Sequence, residues 1–376
     1  MLRGSWTSRP LTPSGTREGG LAVGPGVPRR MAVKAPNPSV IIPAGGLHPA
    51  PPVPQPNIYP MEWRVETPKL AELYERSKRQ IYNPSDFPWD ELRPEDFTPE
   101  QRIGIMYWYA VLANFDGSGP AVFAKATIHA FEQHTEDPIR KCFFSITRDE
   151  MNHEECCQRV IQKLVPGGPL DFDPKTDLER AAINNIQWLY HNGGRYWKGY
   201  GESLSKYPLS VLFTSFMMGE VASSTLFFGM SKKATHPVFR EIFKRVGQDE
   251  ARHLAICLTI LEKDWPGLTD EHKALITRQL RAGFVFLSMI LWEPPNQFWE
   301  IPEYFLDNHR VLVQHARDGG LGVLTYDEQA ENWRVALARV RAMVEAWGIE
   351  FPAIPELDLD GVDVGHIGPE DIIPVF

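Results

Sequence analysis

The five-residue pattern Asp-Glu-x-x-His occurs twice in this chain, and the two copies start 100 residues apart. Both copies lie in segments with helical periodicity. On a helix, residues three apart share one face with Cβ atoms about 5–6 Å from each other. Glu150 and His153 can therefore bind one metal ion, and Glu250 and His253 can bind another. The duplication predicts two helices that face each other across a pair of metal ions.

A dinuclear site of this kind needs one further carboxylate from each of two other helices. Residues 209–230 are apolar or small and polar except for Glu220, and residues 103–124 are apolar or small except for Asp116. A carboxylate without compensation inside a buried apolar helix would cost several kcal/mol or take up a proton. A metal cation removes that cost, so both residues are candidate ligands.

The spacing along the chain supports these two carboxylates. Asp116 lies 34 residues before Glu150, and Glu220 lies 30 residues before Glu250, which lets one helix end and the next return antiparallel. Glu132 is the rival of Asp116, but it lies only 18 residues before Glu150. That distance is too short to reach the same depth on an antiparallel neighbour. The sequence therefore favours Asp116.

The six candidate ligands, in this order on four predicted helices, resemble those of the ferritin-like diiron-carboxylate oxidases. That group includes the methane and toluene monooxygenase hydroxylases, the acyl carrier protein desaturases and the ribonucleotide reductase small subunits. The resemblance covers roughly residues 98–266 and implies an all-α, ferritin-like four-helix bundle with a dinuclear metal centre and additional flanking helices. One departure is Asp116, where most members carry glutamate, although the reductase small subunits use aspartate.

The resemblance also implies roles for residues beside the ligands. In that group the aspartate before each motif glutamate hydrogen-bonds a ligand histidine, which assigns Asp149 and Asp249 to this role. Cys157 stands where reductase small subunits carry their radical tyrosine and where methane monooxygenase hydroxylase carries cysteine. The missing tyrosine argues against a tyrosyl-radical protein of the usual type. Cys157 is a candidate catalytic residue, with core packing as the alternative.

A hydroxyl group that this family holds near the dioxygen site is expected soon after Glu220. Ser224 and Thr225 are the candidate catalytic residues, and Ser223 precedes them directly. Small residues that pack between helices are an equal explanation for all three.

The activity implied by the resemblance is oxidation of a small organic substrate by a dioxygen-activating non-haem diiron oxidoreductase of the monooxygenase or hydroxylase type. A fatty-acyl desaturase is the alternative, and an iron-handling protein or a non-catalytic subunit is a third reading. Two iron ions bridged by Glu150 and Glu250 would use dioxygen as co-substrate, and manganese suits the same ligands in one or both positions. The chain shows no nucleotide-binding glycine motif, flavin signature or iron–sulfur cysteine cluster, so we expect a separate reductase or ferredoxin as electron donor. We also expect a homodimer.

Composition limits the partners and the compartment. The formal net charge of −9 argues against nucleic acid as a main partner. The four cysteines lack disulfide or zinc spacing, which favours the cytoplasm. The apolar stretch 209–230 is long enough for a membrane span, but its central Glu220 would be costly in lipid, so we expect none.

The chain is expected to divide into three parts. Residues 1–60 contain 13 prolines and should form a disordered arm, with Met31 as an alternative start. Residues 61–350 should form the helical diiron domain, and residues 351–376 an irregular tail. Within the domain we predict a kink near Pro120, a loop over residues 193–207 after a helix over 176–192, and helices over about 269–292 and 326–347.

Overall fold

The computed structural model describes residues 63–203, 209–291 and 302–367, without the side chains of residues 193–203, 209–216 and 289–291. The described residues all belong to one compact unit, Gln55–Phe376. The arm expected over residues 1–60 lies outside the described residues.

Regular secondary structure in these ranges is helical, which confirms the predicted all-α class. Isolated β-bridges pair Pro352 with Val362 and Ile354 with Leu359. The α-helices, in chain order, are α1 (Pro68–Arg79), α2 (Pro99–Asp116), α3 (Gly119–Glu132), α4 (Asp137–Leu164), α5 (Asp177–Ser203), α6 (Leu209–Lys233), α7 (Pro237–Asp264), α8 (Asp270–Leu291), α9 (Glu303–Asp318) and α10 (Tyr326–Ala346).

Helices α2, α4, α6 and α7 form the central bundle. Helix α2 packs against α4, α6 packs against α7, and α4 meets α7 between the two pairs. The remaining helices cover this bundle: α1 lies on α4 and α7, α3 lies on α4, α5 and α9 lie on α2, and α8 and α10 lie on α6. The motif helices α4 and α7 therefore occupy neighbouring positions in the interior, as the duplicated pattern predicts.

Helix α2 begins at a capping box and ends at a candidate ligand. The Thr98 hydroxyl accepts a hydrogen bond from the amide of Gln101, whose side chain accepts one from the amide of Thr98. Residues 103–114 are buried on every side of the helix. The helix stops at Asp116, and α3 starts at Gly119 with Pro120 in its first turn. The kink predicted near Pro120 is thus a complete break between two helices.

Two helix predictions were wrong. Helix α5 continues to Ser203, through a stretch predicted as a loop because of its glycines, since tertiary context overrides intrinsic propensity. Helix α9 was missed. Its buried stripe includes the polar residue His309 at a position where an apolar residue would have completed the helical pattern.

The segment after residue 350 has little regular structure yet contributes to the core. Phe351, Ile354 and Leu357 are buried, and a single short 3₁₀ turn, Pro355–Leu357, lies among them. Within the described part of the chain, no helix combines the length and the apolar character required to cross a membrane.

Candidate metal centre

The six sequence-predicted ligands converge in the interior of the central bundle. Asp116 is the last residue of α2, Glu220 lies in the middle of α6, and the two Glu-x-x-His pairs lie in α4 and α7. All six side chains are buried, and both histidines are 0% exposed. Glu132, the rival of Asp116, lies at the end of α3 with 52% of its side chain exposed. The structure therefore brings Asp116, and not Glu132, to the cluster.

The potential donor atoms fall into two overlapping groups. Glu150, Glu220, Glu250 and His253 offer atoms that all lie within 4.8 Å of one another, and Asp116, His153 and Glu250 form a second such group. Glu250 belongs to both groups, whereas Glu150, which was also expected to bridge, belongs only to the first.

The imidazole Nδ1 atoms are central to this arrangement. His253 Nδ1 lies 3.3 Å from Glu150 Oε1 and 3.5 Å from both Glu220 Oε2 and Glu250 Oε2. His153 Nδ1 lies 3.4 Å from Glu250 Oε1. The two rings therefore point the same nitrogen at carboxylate oxygens.

Three buried polar atoms in this cluster have no hydrogen-bond partner: Nδ1 of His153, Nδ1 of His253 and Oε2 of Glu220. Orphaned buried polar atoms are rare because each carries a desolvation penalty of about 1–3 kcal/mol. Here all three belong to residue types that bind metals, and all three lie among other carboxylates. A cation with carboxylate and imidazole ligands would complete their coordination, so the residues fit a dimetal group.

Asp149 and Asp249 hold the histidines, but each holds the histidine of the other motif. His253 Nε2 lies 3.3 Å from Asp149 Oδ2, and His153 Nε2 lies 3.3 Å from Asp249 Oδ2. A proton donated from Nε2 leaves Nδ1 as a lone-pair donor towards the cluster. The two aspartates predicted to orient the ligands therefore lie where that role requires.

Arg252 links these two aspartates and was missed by the sequence analysis. Its Nη2 donates at 2.6 Å to Asp149 Oδ2 and at 2.6 Å to Asp249 Oδ1, and the residue is 2% exposed. Its Nη1 donates to Gln80 at the end of α1. The available signal was the position of Arg252, three residues after Asp249 on the same buried face of α7. The guanidinium offsets the negative charge of both buried carboxylates, and Asp149 also accepts a 2.9 Å hydrogen bond from Arg148 Nε.

Burial opposes the charged form of most carboxylates in the cluster. It raises the pKa of Asp116, Glu150 and Glu220, and neighbouring carboxylates add to the increase for each of them. For Asp149, burial acts in the same direction, but the hydrogen bond from His253 and the nearby arginines outweigh it and lower the pKa.

The histidines and Glu250 stabilise one another's charge in this structure. Burial lowers the pKa of His153, but Asp249 and the adjacent glutamates outweigh that effect and raise it to about 10. Burial raises the pKa of Glu250, yet the adjacent imidazoles of His253 and His153 lower it to about 2. The imidazoles therefore supply positive charge that stabilises the carboxylate of Glu250.

A cavity of about 90 Å³ adjoins the cluster on the side away from the histidines. Helices α2, α3, α6 and α8 supply its apolar wall, and the candidate ligand carboxylates form one end. It is lined by Leu112, Phe115, Asp116, Gly119, Phe123, Glu150, Gly219, Glu220, Ser223, Leu226, Phe227, Glu250 and Leu287.

The predicted catalytic side chains are placed less favourably than the ligands. Ser223 lines the cavity, whereas Ser224 and Thr225 do not. Their hydroxyls donate instead to the carbonyl of Val221 on their own helix. Of these three hydroxyl residues, Ser223 is therefore the one that lines the cavity.

Cys157 lies beside the cluster and outside the cavity lining. Its thiol is 4% exposed and lies 3.8 Å from Asp116 Oδ2, within range of a weak S–H···O hydrogen bond. Burial raises the pKa of this thiol well above its usual range. Cys157 is therefore a neutral packing and hydrogen-bonding partner of Asp116 in this structure.

Gly119 provides the space that Glu150 occupies. A Cβ atom at this position would lie 2.7 Å from Glu150 Oε2 and 2.9 Å from Glu150 Cδ, closer than van der Waals contact allows. The Gly-Ser-Gly-Pro stretch after Asp116 thus both ends α2 and makes room for a ligand of α4. A side chain at Gly119 would force the Glu150 carboxylate to leave the position that it occupies here.

Solved structures of the R2-like ligand-binding oxidase match this chain. A point variant of that oxidase with an aerobically reconstituted Mn/Fe cofactor is 18% identical, with coverage of 74% of this chain and 98% of that chain and a TM-score of 0.50. A second such variant is 15% identical, covers 75% and 95%, and has a TM-score of 0.49. The same oxidase with an aerobically reconstituted metal cofactor after photoconversion is also 15% identical, with 75% and 94% covered and a TM-score of 0.49.

No protein-family model and no curated protein matches the chain. The first of the structural matches shows a common fold over three quarters of this chain. It agrees with the central bundle and its covering helices. The chain therefore has the ferritin-like helical fold found in the R2-like ligand-binding oxidases.

Proposed function

We propose that this protein is a dioxygen-dependent dimetal-carboxylate oxidoreductase that oxidises a small organic substrate. The observation that carries the proposal is the convergence of four buried carboxylates and two imidazoles whose Nδ1 atoms have no hydrogen-bond partner. The oxidases that share the fold were reconstituted with manganese and iron, which supports a redox-active metal pair here.

The ligand assignment follows the two groups of donor atoms. Asp116 and His153 would hold one metal ion, Glu220 and His253 would hold the other, and Glu250 would bridge them. Glu150 belongs to the donor group that contains Glu220 and His253. Carboxylate and imidazole ligands suit iron and manganese, and two irons or a mixed pair fit the same set. When bound, such a pair supplies the electrons that activate dioxygen.

The residues of the chain perform the remaining tasks. Asp149 and Asp249 would keep both imidazoles in the tautomer that presents Nδ1 to the metals. The apolar wall of the cavity would exclude water and admit an uncharged substrate beside Glu220. The Ser223 hydroxyl lies at the same cavity and donates to the carbonyl of Gly219 on its own helix. Electrons would come from a separate reductase or ferredoxin.

The size of the cavity favours the hydroxylase type over an acyl desaturase. A desaturase must bury a long stretch of acyl chain near its metals, and the cavity of about 90 Å³ formed by the described residues suits a small molecule. We therefore place monooxygenation of a small apolar substrate first and desaturation second.

Metal content and oxygen consumption test this proposal together. Protein reconstituted anaerobically with iron, or with iron and manganese, should hold about two metal ions per chain by elemental analysis. Exposure to oxygen should change the visible spectrum, and an added reductase system should support substrate-dependent oxygen uptake. Iron loading far beyond two per chain would instead indicate iron storage. The absence of bound metal would contradict the proposal and favour a non-catalytic subunit.

A matched pair of variants on one helix controls this experiment. Glu250→Gln changes a buried member of both donor groups, and we expect it to lose metal and oxygen uptake. Glu262→Gln makes the same change on α7 at a side chain that is 51% exposed and pairs with Lys69. We expect that variant to retain both properties.

A further inference from the structure

Two glycines line the cavity, and they differ in what surrounds them. Gly119 lies at the start of α3, and Gly219 lies in α6 directly before Glu220. A Cβ atom at Gly119 would collide with Glu150. At Gly219, a Cβ atom would meet no heavy atom of the described residues within 4 Å. Only the second position can accept a side chain without disturbing a candidate ligand.

The backbone of Gly219 does not require glycine either. Its φ lies outside the left-handed region, and the residue sits within a regular helix, so an L-amino acid fits the local conformation. Glycine inside a helix is less favourable than alanine. Neither local sterics nor backbone conformation accounts for glycine here. The missing side chain at Gly219 leaves open cavity volume beside Glu220.

The cavity wall indicates which molecules that volume suits. Apart from the carboxylates at its end, the wall is formed by apolar side chains, with Ser223 as the polar exception among its lining residues. The Ser223 hydroxyl already donates to the carbonyl of Gly219 at 2.9 Å. The wall therefore offers few hydrogen-bond donors to a ligand and favours a small uncharged apolar molecule.

We propose that Gly219 is the specificity-determining position of this cavity. Because it lacks a side chain, it sets the maximum size of the small apolar molecule that can lie beside Glu220. The relevance of this limit to turnover rests on the proposed oxidase function. Binding of an apolar molecule in the cavity does not depend on that function. The two ideas can therefore be tested apart.

The experiment measures binding of xenon and benzene, since dry apolar cavities in proteins bind both. Metal-reconstituted wild-type protein is compared with Gly219→Ala and Gly219→Leu. Calorimetry or ligand-observed NMR reports benzene affinity, and xenon NMR reports the smaller probe. Lys232→Leu adds a leucine to the same helix at an exposed position and serves as the control.

We expect wild-type protein and the control to bind both probes. Gly219→Leu should weaken benzene binding by about tenfold or more because the new side chain occupies the volume. Gly219→Ala should retain xenon and show a smaller loss of benzene affinity. Metal content should equal that of the wild type in Gly219→Ala, because the added Cβ atom meets no heavy atom of the described residues within 4 Å.

Several outcomes would overturn the inference. They are unchanged benzene affinity in Gly219→Leu, absence of benzene binding to the wild type, and loss of metal in both Gly219 variants. If the wild type bound benzene but neither metal nor oxygen, the oxidase function would fail while the role of Gly219 at the cavity would stand. If metal binding and oxygen uptake were normal but the Gly219 variants bound the probes with wild-type affinity, only this inference would fail.

Discussion

Asp149 accepts a hydrogen bond from His253, which lies 104 residues further along the chain, at a distance of 3.3 Å. Asp249 accepts the equivalent bond from His153 at the same distance. Each motif helix therefore orients the candidate ligand of the other, so α4 and α7 are coupled by side chains as well as by packing. Arg252 joins both aspartates and completes this exchange. Four predictions follow from the contacts around this centre and from a buried histidine on α9.

Replacing Arg252 with alanine should strongly destabilise the protein. The change would leave Asp149 and Asp249 as buried carboxylates without their shared guanidinium, and breaking a buried ion pair on one side costs about 3–5 kcal/mol. Urea unfolding of metal-free protein measures the free energy of unfolding directly. Asn152 occupies the corresponding position of the first motif and makes only a 3.4 Å bond to the Tyr82 carbonyl. Asn152→Ala should therefore change stability by less than about 1 kcal/mol. Equal effects of the two changes would contradict the role of Arg252.

Glu220→Ala should lose bound metal while keeping the helical fold. Glu220 is the carboxylate of α6 in the donor group with His253, and its Oε2 has no hydrogen-bond partner. Since burial raises its pKa, removing it does not remove a stabilising charge from the metal-free protein. Elemental analysis measures the metal, and far-ultraviolet circular dichroism measures helix content. Retention of two metal ions per chain would show that Glu220 is not a ligand.

Gly119→Ala should weaken metal binding through Glu150. The added methyl group would lie 2.7 Å from Glu150 Oε2, so the carboxylate must leave its present position, in which Oε1 lies 3.3 Å from His253 Nδ1. Displacement of a supporting contact at a metal site lowers affinity by about 10–100-fold. Competition with a metal chelator measures this loss. Gly219→Ala adds the same methyl group at a position with open space and should keep wild-type affinity. Unaltered affinity in Gly119→Ala would mean that Glu150 does not bind the metal in the conformation seen here.

His309 should make the protein less stable in mild acid. It is 3% exposed and its Nδ1 lies 2.7 Å from the Tyr107 hydroxyl; burial and the nearby arginines lower its pKa to about 3. Because the folded-state pKa is below the unfolded value, the stabilisation is complete above about pH 6.5 and is lost as the pH falls towards 3.

The histidine should contribute a slope of up to about 1.4 kcal/mol per pH unit in that interval. Free energies of unfolding measured from pH 7 to 4 should show this slope in the wild type and a flatter dependence in His309→Gln. His191→Gln, an exposed histidine on α5, should behave like the wild type. A parallel pH dependence in all three proteins would mean that folding does not lower the pKa of His309.

Residue spacing alone was enough to place most of the helices and to identify which side chains meet. The repeated Glu-x-x-His pairs and the isolated carboxylates Asp116 and Glu220 are local signals, because helical periodicity converts their spacing directly into a common face. A charged residue within an otherwise apolar helix can also be recognised in the sequence without knowledge of its neighbours in the fold. The all-α class and the convergence of the six candidate ligands could therefore be predicted from the chain.

Other features depend on contacts between segments that are distant in sequence. Three features depend on how two helices are rotated about their axes. They are the hydrogen bond between Asp149 and His253, the contacts of Arg252 with both aspartates, and the position of Ser223, rather than Ser224 or Thr225, at the cavity. Rotation is decided by packing over the whole helix and is not encoded in any one motif.

Two glycines, Gly119 and Gly219, also show the difference between what the sequence reveals and what the fold decides. Gly119 and Gly219 look alike in the sequence, each as a small residue near a candidate ligand. Only the folded chain distinguishes them, because Glu150 of another helix fills the space at Gly119 and no described residue fills it at Gly219. Local sequence pattern determined which residues form the centre. Three-dimensional packing decided how each residue is oriented and where the cavity lies beside them. The reason is that side chains from elements distant in sequence fill a common space only after the chain has folded.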